Sequence, residues 1–260
     1  MTQHTLEKLI EIIRILRSPE GCPWDREQTH ETVKQCIIEE TYEFLEAIDE
    51  NNPKKMQEEL GDIITMIVFH AQLAEEENSF TIYDVIGTTV EKLIRRHPHV
   101  FGDKTLHNSE QVLKQWDQIK KTEENHRHRE SILDGVPKHM PSLMRAQKIQ
   151  KKAAKAGFDW EKPEQIIDKI QEELDETREA LSLNETRNIK EEIGDLFFAV
   201  TNLARYLKFN SEELSQRSVD KFIKRFQKVE HDIRQAGKEL DKCSLSELDA
   251  LWNKHKSSEQ

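Results

Sequence analysis

One pattern of acids occurs twice in this chain of 260 residues. Glu39, Glu40, Glu43, Glu58, Glu59 and Asp62 have counterparts in Glu172, Glu173, Glu176, Glu191, Glu192 and Asp195, each 133 positions further on. A fixed register held over two clusters is the mark of a duplicated structural unit. Each half also sets a tryptophan-bearing loop ahead of its acids, Trp24 in CPWD and Trp160 in GFDW.

The unit is helical. Leu60, Ile63, Ile64, Ile67 and Ala71 recur at the spacing of one helix face, and no alternating strand pattern appears in either half. Only 8 glycines and 7 prolines interrupt the chain, few enough for long helices. The spacing predicts helices over 3–17, 33–49, Pro53–Glu76, 82–96 and 109–130, then over 141–156, 163–182, 186–208, 211–236 and 245–256. Asn52 is placed to cap the third, with Pro53 in its first turn. The stretch SPEGCPWDREQTH reads as a loop and LDGVPKHMPS as a linker. The expected fold is all-α, as tandem duplicated four-helix-type modules over 1–130 and 141–260 joined by a linker over 131–140.

Helix geometry gives the acids their meaning. Glu40 and Glu43 share a face, as do Glu59 and Asp62, and the short break at 51–53 makes their helices antiparallel neighbours. With Leu60 turned inward, these four carboxylates flank the seam and converge. Ile193 does the same for Glu173, Glu176, Glu192 and Asp195. Glutamates at such spacing usually form a solvated helix face; a duplicated register gives surface charge no reason to persist. Clustered carboxylates repel unless a cation offsets them. A hard divalent cation fits, and Mg²⁺ commonly bridges carboxylates to phosphates. Gly61 and Gly194, inside helical patterns, suggest the close approach of a helix or a ligand.

A triphosphate also needs cations from the protein. Lys221, Lys224 and Arg225 follow the second acid set, with Lys221 and Arg225 on one face beside Phe222 and Phe226. Lys92, Arg95, Arg96 and His97 follow the first. Trp24, Trp160 and Trp252 are candidates for stacking on a base. His97 and His99 lack partners at ligand spacing and suit a loop, and Cys22 and Cys36 suit packing. The formal charge of −11 argues against general nucleic-acid binding. Three scattered cysteines fit a reducing compartment, and no segment can span a membrane, so the expected location is cytoplasmic.

The motifs EETYE with EELGD, and EELDE with EEIGD, resemble the MazG family of nucleoside triphosphate pyrophosphohydrolases. GCPWDREQTH, RRHPHVFGD and PSLMRAQKIQKKAAKAGFDW are similar to the corresponding stretches of two-module bacterial members. The resemblance implies a dimer that hydrolyses NTPs and dNTPs to the monophosphate and pyrophosphate with Mg²⁺. It implies metal ligation by Glu173, Glu176, Glu192 and Asp195, and nucleotide contacts from Lys169 to Glu172, Asn188 to Glu191, Lys221 to Arg225 (with Lys224), and Trp252. The family can carry lysine where this chain has Asn188. It also implies that the C-terminal module carries the activity, although Glu40, Glu43, Glu59 and Asp62 are kept.

The expected chemistry is attack by a metal-activated water, with Glu172 as general base and Glu173, Glu192 and Asp195 in the catalytic cluster. Lys221 and Arg225 would offset charge on the leaving pyrophosphate. Two other readings stand beside it. A di-iron carboxylate bundle would use Glu-x-x-His pairs, for which EQTH (Glu27, His30) and EENH (Glu123, His126) supply the letters. A helical scaffold or regulatory protein would use the charged faces for docking. A homodimer would bury more of the amphipathic helices.

Overall fold

The computed structural model describes residues 4–122 and 130–257, and every regular element among them is helical. The chain divides into two units, Met1–Arg127 and His128–Gln260.

In the first unit α1 (Leu6–Leu16) starts at Thr5, whose hydroxyl accepts from the Lys8 amide at 3.4 Å. The chain then turns back on itself: the Cys22 amide donates to the Leu16 carbonyl at 2.8 Å. A Cβ at Gly21 would stand 2.2 Å from the Ile15 carbonyl oxygen, so only glycine fits this turn. The stretch expected as a loop contains one short helix, α2 (Pro23–Glu27), and leads at its last residue into another, α3 (His30–Val33). Pro23 opens the first. Thr29 and Thr32 cap the second reciprocally, and helices this short leave too little periodicity to read.

Helices α4 (Cys36–Asp49) and α5 (Pro53–Glu76) pack as an antiparallel hairpin. Asn51 turns the corner at φ 50°. The Asn52 side chain accepts from the Lys55 amide at 3.2 Å, with Pro53 in the first turn, as the sequence suggests. Ile10, Ile13 and Val33 pack on Val68, Phe69, Ala71 and Leu73 of α5 and on Ile82. Arg17 closes this core, its guanidinium over the Phe69 ring and bonded to Glu76 at 2.7 and 2.8 Å. Then come α6 (Ile82–Arg96), which a Thr81–Asp84 capping box starts, α7 (Pro98–Phe101) and α8 (Ser109–Thr122). Of the helix expected over 109–130, the part from 123 to 129 lies outside the described residues.

The second unit comprises α9 (Ser142–Lys155), α10 (Pro163–Leu183), α11 (Thr186–Tyr206), α12 (Ser211–Gln235) and α13 (Leu245–Ser257). Here α10 and α11 form the hairpin, turned by Asn184 at φ 56°. Ile166, Ala180, Ala199, Ala204, Val229 and Ile233 are buried. Amides tie the elements together: Gln147 accepts from the Ser211 amide at 2.9 Å, and Gln150 donates to the Phe198 carbonyl at 2.8 Å. Arg205 fixes Asp159 of the GFDW loop, holding its carboxyl below the usual range through their hydrogen bonds.

One expectation about the hairpins is overturned. Leu60 and Ile193 are 43% and 40% exposed, whereas Glu59 and Glu173 are each 5% exposed. The seam side of α5 runs through Glu59, Ile63 and Met66, and successive residues step about 100° around a helix. Leu60 therefore points away from α4, and Ile193 likewise points away from α10. Gly61 and Gly194 lie in open space: a Cβ on either would meet no described atom within 4 Å.

His30 and His70 tie α3 to α5, their Nδ1 atoms 2.9 Å apart and their rings stacked. Burial, then the His30 charge, holds His70 below the ordinary histidine range. The folded state therefore binds fewer protons than the unfolded chain as pH falls through about 6.5. Stability present above that pH is lost below it. Thermal melts from pH 7.5 to 5 should show a downward trend that His70→Gln makes shallower.

Candidate functional site

In the second unit Glu173 comes from α10, and Glu192 and Asp195 come from α11. One carboxylate oxygen from each lies within 4.8 Å of the others. Glu173 is buried, Glu192 half-buried and Asp195 exposed, so the cluster runs from the hairpin seam outward. Glu176 is exposed and outside this trio. Its charge still acts on Glu192, whose carboxyl is pushed above the ordinary range by burial, then by Glu176, Glu173, Asp195 and Glu191.

One cation is built in. Lys169 Nζ lies 2.7 Å from Glu172 and 2.8 Å from Glu173, and these contacts hold its ammonium well above the usual lysine range. Lys169 therefore stays charged and offsets the most buried acid. Glu172 itself is exposed. Asn188 is exposed and donates to Glu185, while Glu191 pairs with Arg187 at 3.1 Å.

The first unit repeats the cluster with Glu40, Glu43 and Glu59. Burial raises Glu40 and Glu59 above the ordinary range. Neighbouring acids add to this, Asp62 first for Glu40 and Glu43 first for Glu59. Asp62 is outside the trio but within reach of its charge. The register that relates the acids places Cys36 opposite Lys169, so this copy lacks the internal cation. Lys55 lowers Glu59 a little but is engaged with Glu46 at 2.8 Å.

The basic residues divide. Lys221 and Lys224 line a groove of about 710 Å³ together with Arg217, Lys228, His231 and His255. Arg225 does not share it: the residue is 8% exposed, and its guanidinium lies 4.8 Å from the Trp252 ring centroid. Lys221, four residues earlier, is exposed. Phe222, stacked on Phe226 and 5.0 Å from Trp252, is half exposed. Trp24 is largely exposed and Trp160 only partly.

Trp116 went unnoticed in the sequence. Arg96 lies over its ring at 5.7 Å, as Arg225 lies over Trp252. The signal was present: VEKLIRR (90–96) and VDKFIKR (219–225) match at an offset of 129, but the register changes after the acids. His97 donates from Nδ1 to the Leu93 carbonyl at 2.7 Å and meets Trp116 edge-on. Of the Glu-x-x-His pairs, His30 engages His70 across two helices; Glu123 and His126 lie outside the described residues.

A helical protein with duplicated, charge-stressed carboxylate clusters is the kind that holds a hard cation beside an anionic substrate. The MazG nucleotide pyrophosphohydrolase domain matches residues 28–101 and again 161–230. A Thermotoga maritima protein called nucleoside triphosphate pyrophosphohydrolase/pyrophosphatase MazG is 45% identical over 98% of this chain and 96% of its own. The Escherichia coli K12 nucleoside triphosphate pyrophosphohydrolase is 42% identical over 98% of each. A crystal structure of a mazG-related protein from Thermotoga maritima is 32% identical, over 44% of this chain and 98% of its own, with a TM-score of 0.39. The chain belongs to the MazG family. It is an enzyme, a nucleoside triphosphate pyrophosphohydrolase acting on the anhydride bonds of its substrate.

Proposed function

We propose that the C-terminal module hydrolyses NTPs and dNTPs to the monophosphate and pyrophosphate, with Mg²⁺ held by Glu173, Glu176, Glu192 and Asp195. The observation that carries this reading is the trio of Glu173, Glu192 and Asp195 within 4.8 Å, with Lys169 on its inner edge. Oxygen-only donors suit a hard cation, and nothing in the set is soft enough to prefer a thiophilic metal. Bound Mg²⁺ supplies charge for the phosphate oxygens and acidity for a water. The protein's own residues do the rest. Lys221 and Lys224 take the outer phosphates and neutralise the departing pyrophosphate. Arg225 and Trp252 form a flat cationic-aromatic wall suited to the nucleoside. Lys169 offsets the charge of Glu173, and Glu172 accepts the proton of the attacking water as the bond to the bridging oxygen breaks. Lys169, Asn188 and Glu191 stand at the phosphate end.

A homodimer belongs to the same proposal. Ile38, Tyr42, Leu45, Leu60, Ile64 and Ile67 are exposed on one hairpin, and Ile193, Phe197 and Val200 on the other, apolar side chains that a second copy would cover. The cysteines are free thiols, in keeping with a cytoplasmic setting, and no described helix is long and apolar enough to cross a membrane.

The test is pyrophosphate release from a panel of NTPs and dNTPs, with and without Mg²⁺. Each module's acids are changed to amides in separate proteins. Metal-dependent release that survives loss of Glu40 and Glu59 but not of Glu192 is expected. Release that follows the N-terminal acids instead would overturn the assignment.

A further inference from the structure

The groove lined by Lys221 and Lys224 also contains an aspartate, Asp232. A carboxylate there works against the phosphates proposed for it. Its side chain is turned to another duty. Lys254 Nζ donates to Asp232 Oδ2 at 2.9 Å, and Nε2 of His255 lies 3.1 Å from the same oxygen. Both partners belong to α13. Their contacts, Lys254 first, hold the Asp232 carboxyl below the ordinary range.

Helix α13 needs such ties. None of its residues is buried, so burial of apolar surface does little to hold it to the module. It packs on α12 and is fixed at two places. At its start Ser244 and Glu247 cap reciprocally, and Lys238 pairs with Glu247 at 2.6 Å. Near its end it is held by Asp232. Between the two ties in sequence lies Trp252. Its ring centroid is 4.8 Å from the Arg225 guanidinium and 5.0 Å from the centroid of Phe222. Lys254 and His255 follow Trp252 within one helical turn, so the Asp232 tie acts close to the indole. Hydrogen bonds between charged groups fix geometry as well as adding energy.

We infer that α13 is a strap that presents Trp252 to the nucleoside, and that Asp232 is the positioning residue that latches it. Asp232 acts through the indole and takes no part in the bond that breaks. The inference rests on the reading of Arg225 and Trp252 as nucleoside contacts.

Steady-state pyrophosphate release from ATP by full-chain variants tests it. Asp232→Asn keeps the shape of the side chain and removes its charge. The Michaelis constant should rise about 5-fold, the scale of losing a partly exposed ion pair, with kcat unchanged. Lys254→Met should shift it the same way and less, because His255 still engages Asp232. Asp232→Glu should recover much of the loss. In a Trp252→Leu background Asp232→Asn should add nothing further, since the two changes act through one contact. The emission of Trp252, taken as the difference between each protein and its Trp252→Leu counterpart, should move to longer wavelength in Asp232→Asn without nucleotide, as a loosened indole meets water. Removing a negative charge beside the phosphates would by itself lower the Michaelis constant, so a fall in Asp232→Asn would overturn the latch. A rise that persists in full in the Trp252→Leu background would overturn it too. A raised constant in Trp252→Leu beside a parental one in Asp232→Asn would remove the latch and keep the nucleoside reading. If Trp252→Leu itself leaves the constant unchanged, that reading falls and the strap with it.

Discussion

Glu192→Gln and Asp195→Asn should each lower pyrophosphate release by at least about 100-fold, the scale of losing one group that stabilises transition-state charge. Neither should damage the fold. The Glu192 carboxyl is held above its ordinary range by burial and by the acids around it. A raised carboxyl pKa means that the folded state holds this proton more firmly than the unfolded chain, so stability present at low pH is lost as pH rises through the folded value. At neutral pH the ionised group is under stress, and an amide relieves it. Without metal, the Glu192→Gln protein should therefore melt no lower than the parent at pH 7. Added Mg²⁺ should raise the melting temperature of the parent and barely move that of the variant. Near-normal turnover by either variant would remove these residues from the metal site.

Lys169→Met should lower turnover about 10- to 100-fold, the usual cost of removing a group that orients and balances a metal ligand. Lys169 holds two acids at 2.7 and 2.8 Å, and without it Glu173 sits buried with no counter-charge. The Mg²⁺ concentration giving half-maximal rate should not rise, because removing a nearby cation favours a dication. The Michaelis constant for the nucleotide should rise. This split separates a lysine that balances charge from one that only stabilises the hairpin; Lys169→Arg should recover much of the rate. Unchanged kinetics in Lys169→Met would show the pair to be incidental.

The sequence reveals the duplicated hairpins because six acids keep one register and Asn52-Pro53 marks a helix start by known stereochemistry. It misleads on which way the hairpins face. The apolar residues Leu60 and Ile193 outrank glutamate in any hydropathy reading, yet Glu59 and Glu173 occupy the seam. A carboxylate stacked between helices looks the same in sequence as one in water. Trp116 escapes a comparison of the two halves because it precedes Trp252 by 136 positions, while the acids keep an offset of 133 and the basic helix one of 129, so no single offset finds it. Spacing along a helix puts Lys221 and Arg225 on one face, and does not announce that Arg225 lies 4.8 Å from the Trp252 ring centroid. The short helices α2 and α3 leave no periodic trace.

Cys36 stands where Lys169 stands in the other copy, and Lys55 stands where Asn188 does, so the two hairpins place a lysine differently. Lys169 bonds the buried Glu173, whereas Lys55 is held by Glu46 and Glu50, so the N-terminal acids are offset less closely and should attract a divalent cation more strongly. As Mg²⁺ is raised from zero, the N-terminal cluster should load first, and the two hairpins, alike in their acids, should then answer to different concentrations of free metal.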